Sequence, residues 1–242
     1  MIISAKTDKG IVRENNQDYY LAGEFAGGVT WAVVCDGMGG AMGGNVASET
    51  AAKLIAEKLA SGYHEGMNDN SVKLLITSVV ESANARVFSK SKSDDSLLGM
   101  GTTVVLAVVN SDTMYLAHVG DSRIYVVSKD NINQLTTDHS VVQMMVDRGE
   151  ITREEAKDHP KKNVITRALG VEDNVRIDYD QQVYNEGEII LLCSDGLTNY
   201  VSDEDILRIC NENDKYCLAE KLVEAANAGG GGDNVTVVTL TD

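Results

Sequence analysis

Four aspartates border strongly apolar runs, where a carboxylate is hard to place without a reason. Asp36 follows Val33-Val34-Cys35, Asp121 follows the run 116–120, and Asp195 follows Leu191-Leu192-Cys193-Ser194. Asp233 comes after four glycines, just ahead of the run that begins at Val235. A glycine adjoins each of the four acids, which permits turn geometry and lets a ligand approach the backbone. Taken singly, an Asp-Gly pair after a strand reads as a turn. Taken together, they suggest chemistry. If the strands converge, like charges a few ångströms apart raise one another's pKa, and cations relieve that repulsion. The sequence offers no plausible His or Cys ligand cluster, so oxygen-only ligation points to Mg²⁺ or Mn²⁺, away from Zn²⁺. Two such ions roughly 3.5–4 Å apart can clamp a phosphoryl group and activate a bridging water. Spontaneous hydrolysis of phosphate monoesters is extremely slow, so a site of this kind must stabilise charge strongly. Separation along the chain leaves open whether the acids meet.

The elements that would carry them follow from periodicity. Residues 31–35, 104–109, 114–119, 124–127, 189–193 and 235–240 are short apolar runs that read as buried strands. Ala47, Ala51, Leu54, Ile55 and Leu59 recur at helical spacing, and Val72, Leu75, Ile76, Val79, Val80, Ala83 and Val87 repeat it. Two further helices are expected around Ile206–Cys210 and Leu218–Ala226. The separators Asn110-Ser111-Asp112 and Gly120-Asp121-Ser122 are short enough for antiparallel hairpins. Strands joined in this way favour antiparallel sheets with helices packed outside, not a doubly wound parallel sheet. The segment 138–170 reads differently, with short helical pieces, a capping box at Thr152 and Glu155, and the sole proline, Pro160. It is expected to be a flap subdomain on a single domain spanning residues 1–242.

Composition narrows the function. A net charge of −16 argues against nucleic acid or an anionic membrane as partner. Most of that charge is expected simply to keep the surface soluble. The four cysteines show no C-x-x-C spacing, and Cys35 and Cys193 sit in or beside apolar runs, which suits small buried hydrophobes. The first residues lack the basic and apolar regions of a signal peptide, and no run is long enough to span a membrane. The expected location is the cytoplasm.

The same residues form an ordered series: Gly10 through Asp18, Cys35 through Gly40, Gly101-Thr102-Thr103, Val119 through Arg123, Asp138-His139-Ser140, His159-Pro160, Asn163 through Gly170, Ser194-Asp195-Gly196 and Gly232 through Thr236. This series resembles the metal-dependent protein serine/threonine phosphatases of type 2C, in their bacterial form, over nearly the whole chain. The resemblance implies an α+β fold, a four-layer αββα sandwich of two antiparallel sheets flanked by helices, with metals in a cleft at one end. It implies that Asp36 bridges two core ions, Mn²⁺ or Mg²⁺, with the Gly37 carbonyl on the first and Asp195 and Asp233 on the second. Asp121, with Asp195, is implied to bind a third, weaker ion. Asp18 would act in catalysis by orienting metal-held waters, and Arg13 would grip the substrate phosphate, a role its guanidinium fork suits. Asn234 is expected to brace the Asp233 loop. Arg123 reads as a structural residue, since hairpin ends often carry solvated charge.

The implied activity is hydrolysis of phosphoserine and phosphothreonine in proteins by a metal-activated water, in a monomer that opposes a bacterial serine/threonine kinase. Met38 stands where animal relatives place a histidine, which leaves protonation of the leaving hydroxyl to a water. His118 reads as a core residue, His139 and His159 as packing or capping residues, and His64 as a loop residue. Ala41 and Gly44-Asn45 depart from the His and Gly-Glu of many bacterial members, and Gln17 replaces an acid found in some. A silent phosphoprotein-binding module would be expected to have lost a ligand, and all are present. A two-metal phosphodiesterase fits poorly with the missing basic stripe.

Overall fold

The run 31–35 lies inside β3 (Thr30–Met38), and it is apolar throughout because both of its faces are covered. Ala32 and Val34 face the space between two sheets, while Val33 and Cys35 face helices. The same alternation holds in β5 (Val104–Asn110), β10 (Ile189–Cys193) and β11 (Val235–Thr241). A strand buried on two sides loses the polar alternation of a half-exposed one.

The computed structural model describes residues 1–242, except for the side chains of residues 40–42. The readings on Gly40 and Ala41 therefore lie outside the described residues. One antiparallel sheet runs β1 (Ile2–Asp8), β11, β10, β7 (Arg123–Val127), β8 (Ile132–Gln134). The other runs β2 (Asp18–Glu24), β3, β5, β6 (Thr113–Val119), β9 (Asp178–Val183), with the two-residue β4 (Gly101–Thr102) paired to the end of β3. Helices α1 (Gly40–Gly62) and α2 (Asp69–Ser93) pack Ala51, Ile55, Ile76 and Val80 onto the second sheet. The first sheet is covered by α5 (Asp195–Thr198), α6 (Asp203–Glu212) and α7 (Leu218–Ala228). A third apolar layer, including Val34, Val105, Ile190, Leu192 and Val238, joins the sheets face to face. This is the expected αββα sandwich. Among the described residues no helix is long and apolar enough to cross a membrane.

One expected hairpin is absent. Gly120-Asp121-Ser122 does not turn β6 back on itself but carries the chain from one sheet to the other. Both edges of β6 are already taken, by β5 and β9, so β7 pairs with β10 instead. The crossing puts Asp121 at the seam between the sheets. In segment 138–170, α3 (Val141–Asp147) is capped by Ser140, and α4 (Arg153–Lys157) by the expected Thr152–Glu155 box. Neither helix has a buried residue, and the segment returns to the sheet through Leu169, whose backbone pairs with Thr102.

Candidate metal centre

Asp36 is held by its own main chain. Its N–H donates to Thr103 Oγ1 (3.0 Å), and its carbonyl accepts from the Thr103 N–H (2.8 Å) and from Thr102 Oγ1 (2.9 Å). The side chain is thereby left to point into the cleft. Asp18 is its direct cross-strand partner in the β2–β3 ladder, an arrangement that is destabilising for two uncompensated like charges. Buried Asp18 accepts a hydrogen bond from Ser194 Oγ (2.7 Å), and Ser194 Oγ accepts from the Thr236 N–H (3.0 Å), so this short chain ties the two sheets together.

Asp195 opens α5 and accepts from Asn199 Nδ2 (2.9 Å). Asp233 receives the Arg13 guanidinium on Oδ2 (2.7 Å) and the Asn234 N–H on Oδ1 (2.8 Å). The Asn234 amide accepts from the Gln17 N–H (2.8 Å) and donates to the carbonyls of Lys9 and Asn15 (both 2.9 Å). It thus pins the Asp233 turn to the loop that bears Arg13. Together Arg13, Asp36, Gly37, Asp121, Asp195, Asp233 and Asn234 line one cleft of about 510 Å³, along with Asn163 and Ile165 of segment 138–170. Asp18 is not part of that lining but is buried opposite Asp36 in the β2–β3 ladder. Apart from Asp18, every residue expected to act lines that cleft.

The electrostatics follow from that convergence. Burial is the largest cause of the raised pKa at each affected acid, because low dielectric disfavours the charged form. It pushes Asp18 up to about 7, offset by the hydrogen bond from Ser194 and reinforced by Asp195 and Asp233. Asp121 is pushed to about 7 by burial and by the charges of Asp195 and Asp138. Asp195 rises to about 6 through burial and Asp233. Asp36 lies well above the usual range through burial and through Asp18, Asp195, Asp121 and Asp233. Asp18 Oδ1, moreover, is buried with no hydrogen-bond partner. Crowded carboxylates, an orphaned buried oxygen and an all-oxygen donor set together fit hard divalent cations.

Three side chains were not anticipated as a group. His118, His139 and Asp178 bring nitrogen and oxygen atoms within 4.8 Å of one another, a spacing that could hold an ion. Their geometry suits another role. The imidazoles stack with centroids 4.5 Å apart and planes 19° apart, so an ion between them would lie out of both ring planes. The Arg167 guanidinium already supplies a cation, with Nη1 2.8 Å from Asp178 Oδ1 and 2.9 Å from His139 Nε2. Arg123 is structural, but not as a solvated charge at a hairpin end. It is a partly buried fork on Asp138, with Nε 2.9 Å from Oδ1 and Nη2 2.7 Å from Oδ2, because β7 enters the sheet seam and not a solvated hairpin. Sequence reasoning also gave no role to Thr103 or Ser194. Ser194 adjoins Asp195 and Thr103 belongs to the Gly101-Thr102-Thr103 motif, and those were the available signals.

The sandwich and its acid-lined cleft define a metal-dependent phosphatase. A family model described as Protein phosphatase 2C matches residues 11–225, and the chain belongs to that family. Protein phosphatase PhpP of Streptococcus pneumoniae is 38% identical, over 100% of this chain and 97% of its own. The solved serine/threonine phosphatase of S. agalactiae has a TM-score of 0.92 at 36% identity, covering 99% of this chain and 98% of that one. The catalytic domain of the serine/threonine protein phosphatase PstP, solved in complex with two manganese ions, has a TM-score of 0.85 at 34% identity, covering 99% and 98%.

Proposed function

We propose that this enzyme removes phosphate from phosphoserine and phosphothreonine in proteins, opposing a serine/threonine kinase in the cytoplasm of a bacterium. The observation that carries this reading is the convergence of five carboxylates from both sheets on a cleft that also holds Arg13. Asp36, the Gly37 carbonyl, Asp195 and Asp233 would hold two core ions, Mn²⁺ or Mg²⁺, and Asp121 with Asp195 a third. Such ions supply Lewis acidity, acidifying water and neutralising charge on the phosphoryl oxygens.

The chain's own residues do the rest. Arg13, about half exposed at the cleft mouth, presents a planar fork to two phosphate oxygens. Asp18, held by Ser194, presents its second oxygen as an acceptor that orients the attacking water. Asn234 keeps Asp233 and the Arg13 loop in register. Among the described residues no histidine lines the cleft, so a water protonates the departing serine or threonine oxygen. Replacing His118, His139 or His159 should then leave the acidic limb of the pH–rate profile in place, and loss of that limb in any one variant would refute the point. Segment 138–170 acts as a flap over substrate entry, through Asn163 and Ile165. The four unpaired cysteines suit a reducing cytoplasm.

The direct test is Mn²⁺-dependent phosphate release from a phosphothreonine peptide. Asp36→Asn should lower it by more than about a hundredfold, beyond the usual cost of losing a supporting partner. Peptide binding without turnover, or hydrolysis of a phosphodiester in preference, contradicts the reading.

A further inference from the structure

The loop that carries Asp121 is clamped by two consecutive residues at the root of segment 138–170. Arg123, just past the loop, is gripped by Asp138. Gly120, just before it, is held on both main-chain groups by His139. The Gly120 N–H donates to His139 Nδ1 (3.1 Å), and the His139 N–H donates to the Gly120 carbonyl (2.9 Å). Gly120 has φ +112, and a Cβ there would run into Thr103, the residue that fixes Asp36. With no side chain of its own to pack, Gly120 takes its orientation from these outside partners.

We propose that His139 is a positioning residue for Asp121, acting through an imidazole Nδ1 lone pair that fixes the Gly120 peptide. The inference rests on the reading of Asp121 as a ligand given above. The Gly120 N–H can only donate, so Nδ1 accepts and the ring proton is assigned to Nε2, which donates to Asp178 Oδ2 (3.1 Å), while Arg167 Nη1, 2.9 Å from Nε2, donates to Asp178 Oδ1 (2.8 Å) and not to the ring. Asp178, at the start of β9, is held in turn by Arg167 at 2.8 Å. His118 stacks on the ring and is fixed by its own Nε2 bond to the Thr137 carbonyl (3.0 Å). Burial favours the neutral imidazole, pushing its pKa down to about 4, so the acceptor persists at physiological pH. The His139 carbonyl accepts from the Thr166 N–H (2.7 Å), which extends the clamp to the returning end of the same segment. Supporting partners of this kind set the aim of a metal ligand, and their loss typically lowers metal affinity about 10–100-fold.

The test is Mn²⁺ titration of the full chain without substrate, followed by calorimetry and by the paramagnetic resonance of the ion. Asp121→Asn sets the reference by abolishing the weakest binding step. His139→Leu should weaken that step by roughly tenfold or more and spare the tighter steps. His139→Asn, whose Oδ1 can accept from the Gly120 N–H, should restore most of the affinity. Wild-type titration by His139→Leu, or an Asn variant no better than Leu, overturns the proposal. If Asp121→Asn leaves every step unchanged, the ligand reading itself fails and the proposal falls with it. Should His139→Leu not fold, Asp178→Ala at its partly exposed position carries the same test. It should weaken the weakest step by up to roughly tenfold, and an unchanged step overturns the proposal.

Discussion

Arg13 shows how much one side chain is asked to do. Its Nη2 is bonded to Asp233 at 2.7 Å, and its Nε faces the Gly232 carbonyl at 3.4 Å, which leaves Nη1 and the open edge of the fork for a phosphate. Charge-assisted hydrogen bonds are worth about 1.5–3 kcal/mol each, so Arg13→Ala should raise KM for a phosphothreonine peptide by roughly tenfold or more. Arg13→Lys keeps the charge but not the fork and should recover only part of the loss. Steady-state kinetics decide this, and an unchanged KM in the alanine variant contradicts the role. At this scale the acids were legible, because a carboxylate beside a buried run is conspicuous in sequence. The partners that aim them were not. Ser194, Thr103 and His139 owe their importance to tertiary distance, and nothing in the spacing of Ser194 and Asp18 records that their side chains meet at 2.7 Å.

Among the elements, legibility followed burial. Strands β3, β5, β6, β10 and β11 are apolar runs because helices or the facing sheet cover them. The edge strand β9, Asp178-Tyr179-Asp180-Gln181-Gln182-Val183, is largely exposed and carries no such signal. The path from β6 to β7 was misread as a hairpin, since the occupancy of both β6 edges is a property of the whole sheet. Loop geometry yields its own prediction. Gly10 has φ +76, and a Cβ there would collide with the Asp233 carbonyl and lie 2.8 Å from the Gly231 carbonyl. Gly28 has φ +78 but open space around it. Alanine at either position should cost roughly 1–2 kcal/mol for the left-handed conformation. Only Gly10→Ala should also weaken Mn²⁺ binding, because it displaces the Asp233 turn. Paired melting and Mn²⁺ titration check this, and equal metal affinity in the two variants would argue against the link.

For the molecule as a whole, two sheets hold mutually repelling acids at their common seam, so stability should depend on pH and metal together. Asp18 and Asp121 are raised to about 7 and Asp195 to about 6, against about 3.9 for aspartate in an unfolded chain. Between those values the folded protein binds more protons than the unfolded one, so the slope of stability with pH is negative. The protonated acids therefore contribute stability that is fully present below about pH 4 and lost as pH rises through 6 to 7. Divalent ions replace those protons, and their binding strengthens over the same interval. The gap in Tm between Mn²⁺-loaded and chelator-treated protein should accordingly widen from pH 5.5 to pH 7.5, and a gap independent of pH would contradict this.

The central claim is that carboxylates far apart in sequence share divalent ions at the seam. Diffraction from Mn²⁺-soaked crystals at the manganese edge tests it most directly. Anomalous peaks should lie among the side-chain oxygens of Asp36, Asp195 and Asp233. A cleft without peaks, or peaks at His118, His139 and Asp178 alone, would contradict it.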